Sequence, residues 1–264
     1  KKIMNFSFFS AFFQHHELLG ELTKREIKSR YKQSVLGYAW VILNPFFQMV
    51  VMAFVFSHLV RIPNLAVPYS IFLYTGLLPW TLFSNSIAGS MNSLVNNASL
   101  ITKIYFPREI LVVSTIYAKI FDFLLACSVF VLIYLYYGIP ITVNVLWVIP
   151  IFMIQQLFTY GLSLLFAAFN LFYRDIQYIV GLMLMLWMYL TPVIYSTEIF
   201  PERYRFIFQL NPMAVLINAY RQTILGGGPP NYSSLGIALI FSLLLVIIGF
   251  SLFKKLEGVF ADVV

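Results

Sequence analysis

The chain has 264 residues, of which 61% are hydrophobic and 10% are charged, and its mean hydropathy is +0.85. Soluble domains carry roughly a quarter of charged residues, so this composition excludes an ordinary water-soluble domain and indicates an all-α polytopic membrane protein. The single cysteine, Cys127, excludes an intramolecular disulfide framework and a multi-cysteine metal site.

The first predicted element is a helix over Glu17–Tyr31. Its apolar residues (Leu18, Leu19 and Leu22) cluster on one side, and its lysines follow at intervals of four on another. Such an amphipathic helix can lie on an anionic membrane surface, where each cation contributes about 1 kcal/mol. Because Glu17, Glu21 and Glu26 are interspersed with the cations, the helix also suits a protein partner, and docking remains a hypothesis beside lipid anchoring.

Six stretches are candidates for transmembrane helices, which need about 20 apolar residues each. In chain order they are Gly37–Val60, Tyr69–Gly89, Ile110–Tyr137, Val145–Phe172, Ile176–Tyr195 and Leu235–Phe253. The turn into the first span is predicted at Leu36–Gly37, where glycine gives the chain a flexible corner.

The distribution of Lys and Arg predicts the orientation of these spans. With the amino terminus in the cytoplasm, twelve cations lie inside: Lys1, Lys2, Lys24, Arg25, Lys28, Arg30, Lys32, Lys103, Arg108, Arg174, Lys254 and Lys255. Four lie outside: Arg61, Arg203, Arg205 and Arg221. The bias agrees with the positive-inside rule and places both termini in the cytoplasm.

Two connections are predicted to hold short helices. Between the second and third spans, residues 98–105 (Ala98–Tyr105) can form a short helix along the membrane surface, before Pro107. Between the fifth and sixth spans, residues 196–232 are too apolar for a simple loop but too short to cross. Two short re-entrant helices on the external side are the favoured interpretation, and a plain external loop is the alternative.

Few ionisable residues fall at membrane depth, where they are costly and usually functional. Lys119 and Asp122 lie three residues apart in the third span and can neutralise each other, so a structural pair is favoured over a substrate or proton site. The sequence contains no cluster with metal-ligand spacing, no nucleophile motif and no phosphate-binding loop. Energy for uphill transport would therefore come from a partner.

Aromatic residues are abundant, at 18% of the chain, and several do not fall at the predicted span ends. Examples are Phe46, Phe47 and Phe54 in the first span and Trp187 and Tyr189 in the fifth. A sugar ring packs its apolar face on an aromatic face, while tyrosine and tryptophan can hydrogen-bond its hydroxyls. A path for carbohydrate is one interpretation, and aromatic residues facing lipid or neighbouring helices are the other.

Four motifs along nearly the whole chain resemble a known family. They are "LTKREIKSRYKQSVLGYAWVILNP", "LITKIYFPREIL", "NLFYRDIQYIV" and "LNPM" followed by "YR", with a similar terminal "FKKLEGVFADVV". Together they resemble the membrane subunits (permeases) of polysaccharide-exporting ABC transporters, the Wzm-like O-antigen and teichoic-acid exporters.

The resemblance implies a homodimer with two copies of a separate cytoplasmic ATPase, which uses ATP and Mg, while this chain binds no cofactor and no nucleic acid. Residues 1–264 would be a single transmembrane domain in the bacterial inner membrane that passes a lipid-linked polysaccharide. Candidate ATPase-docking residues in the interface helix (17–31) and the coupling helix (98–105) and beside them are Lys24, Arg25, Lys28, Arg30, Ile101, Lys103, Tyr105 and Arg108. Candidate channel-lining residues are Tyr38, Trp40, Phe46, Phe47, Trp187, Tyr189 and Tyr195.

Other functions remain open at this stage. A permease for drugs or small lipid-like substrates would share the architecture. A membrane-embedded transferase would need a general base, and only Asp122 lies in the spans. A proton-coupled transporter would depend on Asp122 and would not need an ATPase.

Overall fold

The structure, a computed structural model, describes residues 15–31, 34–56 and 67–263. Most of these residues form α-helices, joined by turns, irregular segments, two short 3₁₀ helices and a π turn at 55–56, and no strand occurs among them. The helices are α1 (His16–Tyr31), α2 (Ala39–Phe54), α3 (Tyr69–Met91), α4 (Ser93–Asn96), α5 (Ala98–Lys103), α6 (Glu109–Tyr136), α7 (Val148–Phe172), α8 (Ile176–Leu190), α9 (Glu202–Gln209), α10 (Pro212–Ile224), α11 (Tyr232–Glu257) and α12 (Phe260–Val263).

Within the described residues, three helices are long and apolar enough to cross a membrane, namely α6, α7 with its preceding 3₁₀ turn, and α11. α2 and α8 are apolar but shorter, and α3 has 23 residues that include several hydroxyl and amide side chains. Each predicted span thus has a helical counterpart, and the all-helical fold is confirmed. The end of the first predicted span (57–60) lies outside the described residues, as do four cations of the charge count: Lys1, Lys2, Lys32 and Arg61.

The helix of the fifth predicted span, α8, is shorter than predicted, because it ends at Leu190 rather than at Tyr195. Thr191 precedes Pro192 and has an extended backbone, with φ −101° and ψ 134°. A proline disfavours the α conformation of the residue before it, so the helix stops there. The chain at 191–195 is therefore irregular and needs hydrogen-bond partners for its carbonyl groups from elsewhere.

Local signals explain the other helix ends that matter for the site. Gly37, between α1 and α2, has φ +50°, a conformation that glycine adopts without strain. At the start of α10 the Asn211 side chain accepts hydrogen bonds from the backbone N–H groups of Met213 and Ala214, and Pro212 occupies the first turn. Residues 196–232 therefore contain two short helices, α9 and α10.

The helices pack into two adjoining apolar clusters. The larger one is built from α3, α7, α8 and α10, and the smaller one joins α1, α5 and α12 to the nearby ends of α6, α7 and α11. We call the side of the smaller cluster the α1 end of the bundle, and the opposite side, where α9 and α10 lie, the α10 end. These two ends hold the candidate sites.

Candidate functional site

At the α1 end, the leucine side chains of α1 pack against the smaller apolar cluster. Leu19 and Leu22 are 8% and 6% exposed and join a cluster with Leu94 and Ile110. The Arg25 guanidinium donates a hydrogen bond to the Asn97 side-chain oxygen, which lies between α4 and α5. The predicted interface helix and the predicted coupling segment are therefore in direct contact.

The predicted docking residues divide into two groups. Five are exposed at the α1 end: Lys24, Arg25, Lys28, Lys103 and Tyr105. Tyr105 is 94% exposed, and its neighbour Ile104 is 57% exposed. Lys24 is ion-paired with Glu21 at 2.7 Å, and this cation lowers the pKa of the Glu21 carboxyl.

The other three predicted docking residues have side chains that are buried or make contacts within the chain. Ile101 is 3% exposed because it is the apolar contact of α5 with the smaller cluster. Arg108 donates from Nη1 to the Glu257 carbonyl oxygen at 2.9 Å. Arg30 points toward α6, as described below. A docking role for these three residues stays a prediction, and their contacts within the chain are what the structure shows.

Arg108 belongs to a charged group that ties the end of α11 to the start of α6. Lys254 Nζ lies 2.7 Å from the Glu109 carboxylate and 2.9 Å from that of Glu257. Glu109 is only 2% exposed, so its charge is balanced by a partly buried cation. The Glu257 carboxylate also accepts a hydrogen bond from the Arg108 backbone N–H. This network fixes the residues that follow α5.

A second charged group connects α1 to α6. Asp122 Oδ2 lies 2.8 Å from Arg30 Nη1 and 3.9 Å from Lys119 Nζ. Arg30 Nη2 also donates to Glu26 at 2.9 Å. The two residues of the predicted intramembrane pair do face each other, but Arg30 is the closer partner of Asp122. The role predicted for the pair therefore involves a third residue, from the interface helix.

We expect Asp122→Asn to weaken the attachment of α1. Two partly buried cations would lose their shared carboxylate, which costs about 1–3 kcal/mol for a hydrogen-bonded charge. Thermal unfolding of the purified protein in detergent measures the loss. Glu21→Gln, which removes the exposed partner of Lys24, should leave the unfolding temperature almost unchanged, because solvent screens an exposed ion pair. Membrane vesicles that contain the unchanged chain distinguish the two energy sources, because an exporter requires ATP whereas a proton-coupled transporter requires only a proton gradient.

At the α10 end, three of the predicted channel residues come together. Trp187, Tyr189 and Tyr195 line a groove of about 940 Å³. The same groove is lined by aromatic residues that sequence reasoning did not single out, namely Phe200, Tyr204 and Phe208. Tyr195, Phe200 and Phe208 form a ring cluster, with centroids 5.3–6.3 Å apart.

Trp187 is held in place by the protein itself. Its ring meets Phe83 and Phe158 edge to face, and its Nε1 donates to Asn211 Oδ1 at 3.0 Å. The Asn211 amide in turn donates to Thr191 Oγ1. Because the indole N–H is already engaged, Trp187 offers this groove an apolar ring and no free donor.

The four predicted aromatics of the first span lie elsewhere. Tyr38, Trp40 and Phe47 are about half exposed, and Phe46 packs partly against the larger cluster. Trp40 borders a separate cavity next to Arg30 and Asp122. The cavity also holds polar residues that were missed, Asn44 and Gln48 of α2 with Thr81 and Asn85 of α3. Their spacing of four residues within apolar helices was the available signal.

Comparisons with known proteins extend over nearly the whole chain. The model of the ABC-2 type transporter family matches residues 17–225. The chain is 37% identical to an O-antigen export system permease protein RfbA of Klebsiella pneumoniae, over 94% of this chain and 95% of that protein. It is 33% identical to RfbA of Myxococcus xanthus (95% and 96%) and 22% identical to the polysialic acid transport protein KpsM of Escherichia coli (88% and 91%). The chain therefore belongs to the ABC-2 type transporter family.

Proposed function

We propose that this chain is the channel-forming membrane subunit of an ATP-driven exporter, which moves a lipid-linked polysaccharide such as O-antigen across the inner membrane. The observation that carries the proposal is the similarity, over nearly its whole length, to proteins named as O-antigen and polysialic acid transporters. The aromatic groove at the α10 end supports it, because aromatic faces bind sugar rings with little dependence on the sugar's identity.

In the proposed topology, α2, α3, α6, α7, α8 and α11 form six spans in a bacterial inner membrane, with both termini in the cytoplasm. The bias of Lys and Arg toward the α1 end supports this orientation. α9 and α10 have 8 and 13 residues, or about 12 and 20 Å at 1.5 Å per residue, so neither can cross a bilayer about 30 Å thick. They would re-enter the external side of the membrane, where the aromatic groove opens.

The working unit would be a homodimer with two ATPase subunits. α2 and α8 support this, because both keep large apolar side chains such as Phe47, Val51, Leu182 and Leu186 exposed in the single chain. Burial of these faces between two copies would enclose a path beside the aromatic residues. ATP and Mg would be bound by the ATPase, and this chain would contribute no cofactor site.

The ATPase would bind the surface formed by Lys24, Lys28, Lys103, Ile104 and Tyr105, which the structure leaves exposed. Movement of the ATPase would reach the membrane helices through two successive contacts. Arg25–Asn97 joins this surface to α1, and Arg30–Asp122 joins α1 to α6. The polymer would then advance past successive aromatic rings, none of which binds it tightly.

Copurification tests the proposal directly. The tagged chain, solubilised gently from its native membrane, should retain an ATPase subunit in equal amounts. Tyr105→Ala should reduce ATPase recovery by about tenfold or more, because exposed aromatic residues commonly dominate an interface. Tyr136→Ala is the matched control, since Tyr136 is 84% exposed at the other end of α6. A folded chain that never recovers an ATPase, from any membrane preparation, would contradict the proposal.

A further inference from the structure

We propose that the polar cavity between α1, α2, α3 and α6 is a binding site for a single sugar unit at the entrance of the export path. We call it the amide cavity, after Asn44, Gln48 and Asn85, which line it. The inference rests on the proposed function for the presence of a saccharide, but the site is defined by the residues of this chain alone.

Four helices meet at the amide cavity, and α1 contributes Arg30. α2 contributes Asn44 and Gln48, which are one turn apart, and α3 contributes Thr81 and Asn85 with the same spacing. α6 contributes Asp122 and its neighbour Lys119. The volume is about 270 Å³, close to the lower bound of about 300 Å³ for small-molecule sites, which suits one sugar ring rather than a polymer segment.

The lining has the chemistry that sugar hydroxyls require. Each primary amide offers two N–H donors and a carbonyl acceptor, and a hydroxyl both donates and accepts. The Asp122 carboxylate, which is ion-paired with Arg30, also lines the cavity, and a carboxylate is a stronger acceptor for hydroxyl groups than a neutral oxygen is. Trp40 is 44% exposed and supplies an indole ring at the same cavity. Amides, a paired carboxylate and an aromatic ring therefore converge on one volume.

The balance of charge favours a neutral polyol over an anion or an acyl chain. The two cations, Arg30 and Lys119, share the Asp122 carboxylate, and Arg30 is also bonded to Glu26. A phosphate would have to compete with these two carboxylates for the cations. An acyl chain would leave the amides and charges without hydrogen bonds, which is costly at membrane depth.

Cysteine protection tests the site in the assembled complex. In a Cys127→Ala background, Val41→Cys places a thiol on the cavity wall without removing a polar group. Val35→Cys is the matched control, because Val35 is fully exposed between α1 and α2 and lies outside the cavity lining. A water-soluble maleimide is applied to broken membranes that contain the complex, with and without the polymer freed of its lipid. We expect saturating polymer to slow labelling at position 41 by about tenfold and to leave position 35 unchanged.

The arms of this experiment separate the possible outcomes. Protection by the lipid-free polymer supports the proposal. Protection by inorganic diphosphate alone would overturn it in favour of an anionic headgroup, and equal labelling under all conditions would overturn it outright. If deletion of the gene for this chain left the amount of polymer on the cell surface unchanged, the proposed function itself would be refuted. Export that depends on the chain, without protection at position 41, would defeat only the sugar site.

Apolar replacements give a second readout. Gln48→Leu and Asn85→Leu keep side-chain size but remove the amides, and each should lower the export rate by about tenfold. Gln156→Leu is the control, because Gln156 lies on α7 outside the cavity and its amide makes no hydrogen bond within the part of the chain that the structure describes. Unfolding temperatures establish that the variants are folded. Export equal to that of Gln156→Leu in both cavity variants would overturn the proposal.

Discussion

Arg221→Met should prevent the chain from accumulating in a folded form. The guanidinium lies inside the bundle, where the residue is 7% exposed, and it donates to four backbone carbonyl oxygens. Nη1 reaches Pro192 at 2.5 Å and Tyr195 at 3.4 Å, whereas Nη2 reaches Val193 at 2.6 Å and Phe72 at 3.4 Å. The cation also lies 3.7 Å from the centroid of the Phe72 ring.

The expected loss is large because of what these carbonyls would face afterwards. Three of them belong to the irregular segment 191–195, where α8 has ended and helical partners are absent. Each buried polar group left without a hydrogen bond costs about 1–3 kcal/mol, so losing several would cost much of a typical domain's stability of about 5–15 kcal/mol. Arg221→Lys should recover only part of the lost stability. The planar guanidinium directs its N–H groups at four carbonyl oxygens, whereas an ammonium group has only three donors and cannot reproduce this geometry.

Membrane yield and thermal unfolding in detergent measure the effect. Arg205→Met is a matched control, because the partly exposed Arg205 also donates to backbone carbonyls, those of Glu198 and Phe200. It should change stability by less than about 1 kcal/mol, since water can replace its hydrogen bonds. An Arg221→Met protein that unfolds at the same temperature as the Arg205→Met protein would refute the structural role given to this guanidinium.

Sequence reasoning located the helices because their signals are local. Apolar runs set α6, α7 and α11, and Gly37, Pro107 and Asn211 mark nearby turns or ends. Charge spacing and motif resemblance also predicted helices at α1 and α5, and their interface and coupling roles stay predictions. It placed the end of α8 too late because the apolar run continues past Thr191–Pro192, and only the restriction imposed by proline reveals the break.

The contacts within the candidate sites could not be predicted from the sequence, because they join residues that are far apart along the chain. Arg30 and Asp122 are 92 positions apart, and Arg221 and Phe72 are 149 apart. Spacing within one helix could suggest Lys119 for Asp122 but could not reveal a closer cation on another helix. Nor could it distinguish Trp187, whose N–H is bonded to Asn211, from an aromatic residue free to bind sugar.

The second large effect is expected where two helix backbones touch. Gly249 of α11 and Gly161 of α7 allow these helices to approach closely, as small residues do in membrane bundles. A Cβ atom added at Gly249 would lie 2.5 Å from the Gly161 carbonyl oxygen. A Cβ added at Gly161 would lie 2.8 Å from backbone atoms of Leu245 and Val246. Because these neighbours are backbone and not flexible side chains, only a shift of a whole helix relieves the clash.

We therefore expect Gly249→Ala to destabilise the protein by about 1–3 kcal/mol, the usual cost of overpacking, and Gly249→Leu to prevent folding. Gly236→Ala is the control within the same helix, because a Cβ there meets no atom within 4 Å. It should be neutral or stabilising by up to about 1 kcal/mol, because alanine is the better helix former. Unfolding temperatures of the two alanine variants measure the difference. A lower unfolding temperature for Gly249→Ala but not for Gly236→Ala would assign the loss of stability to the contact between α7 and α11. An equal change in both variants would assign it to the helical propensity of α11 and would refute the close approach.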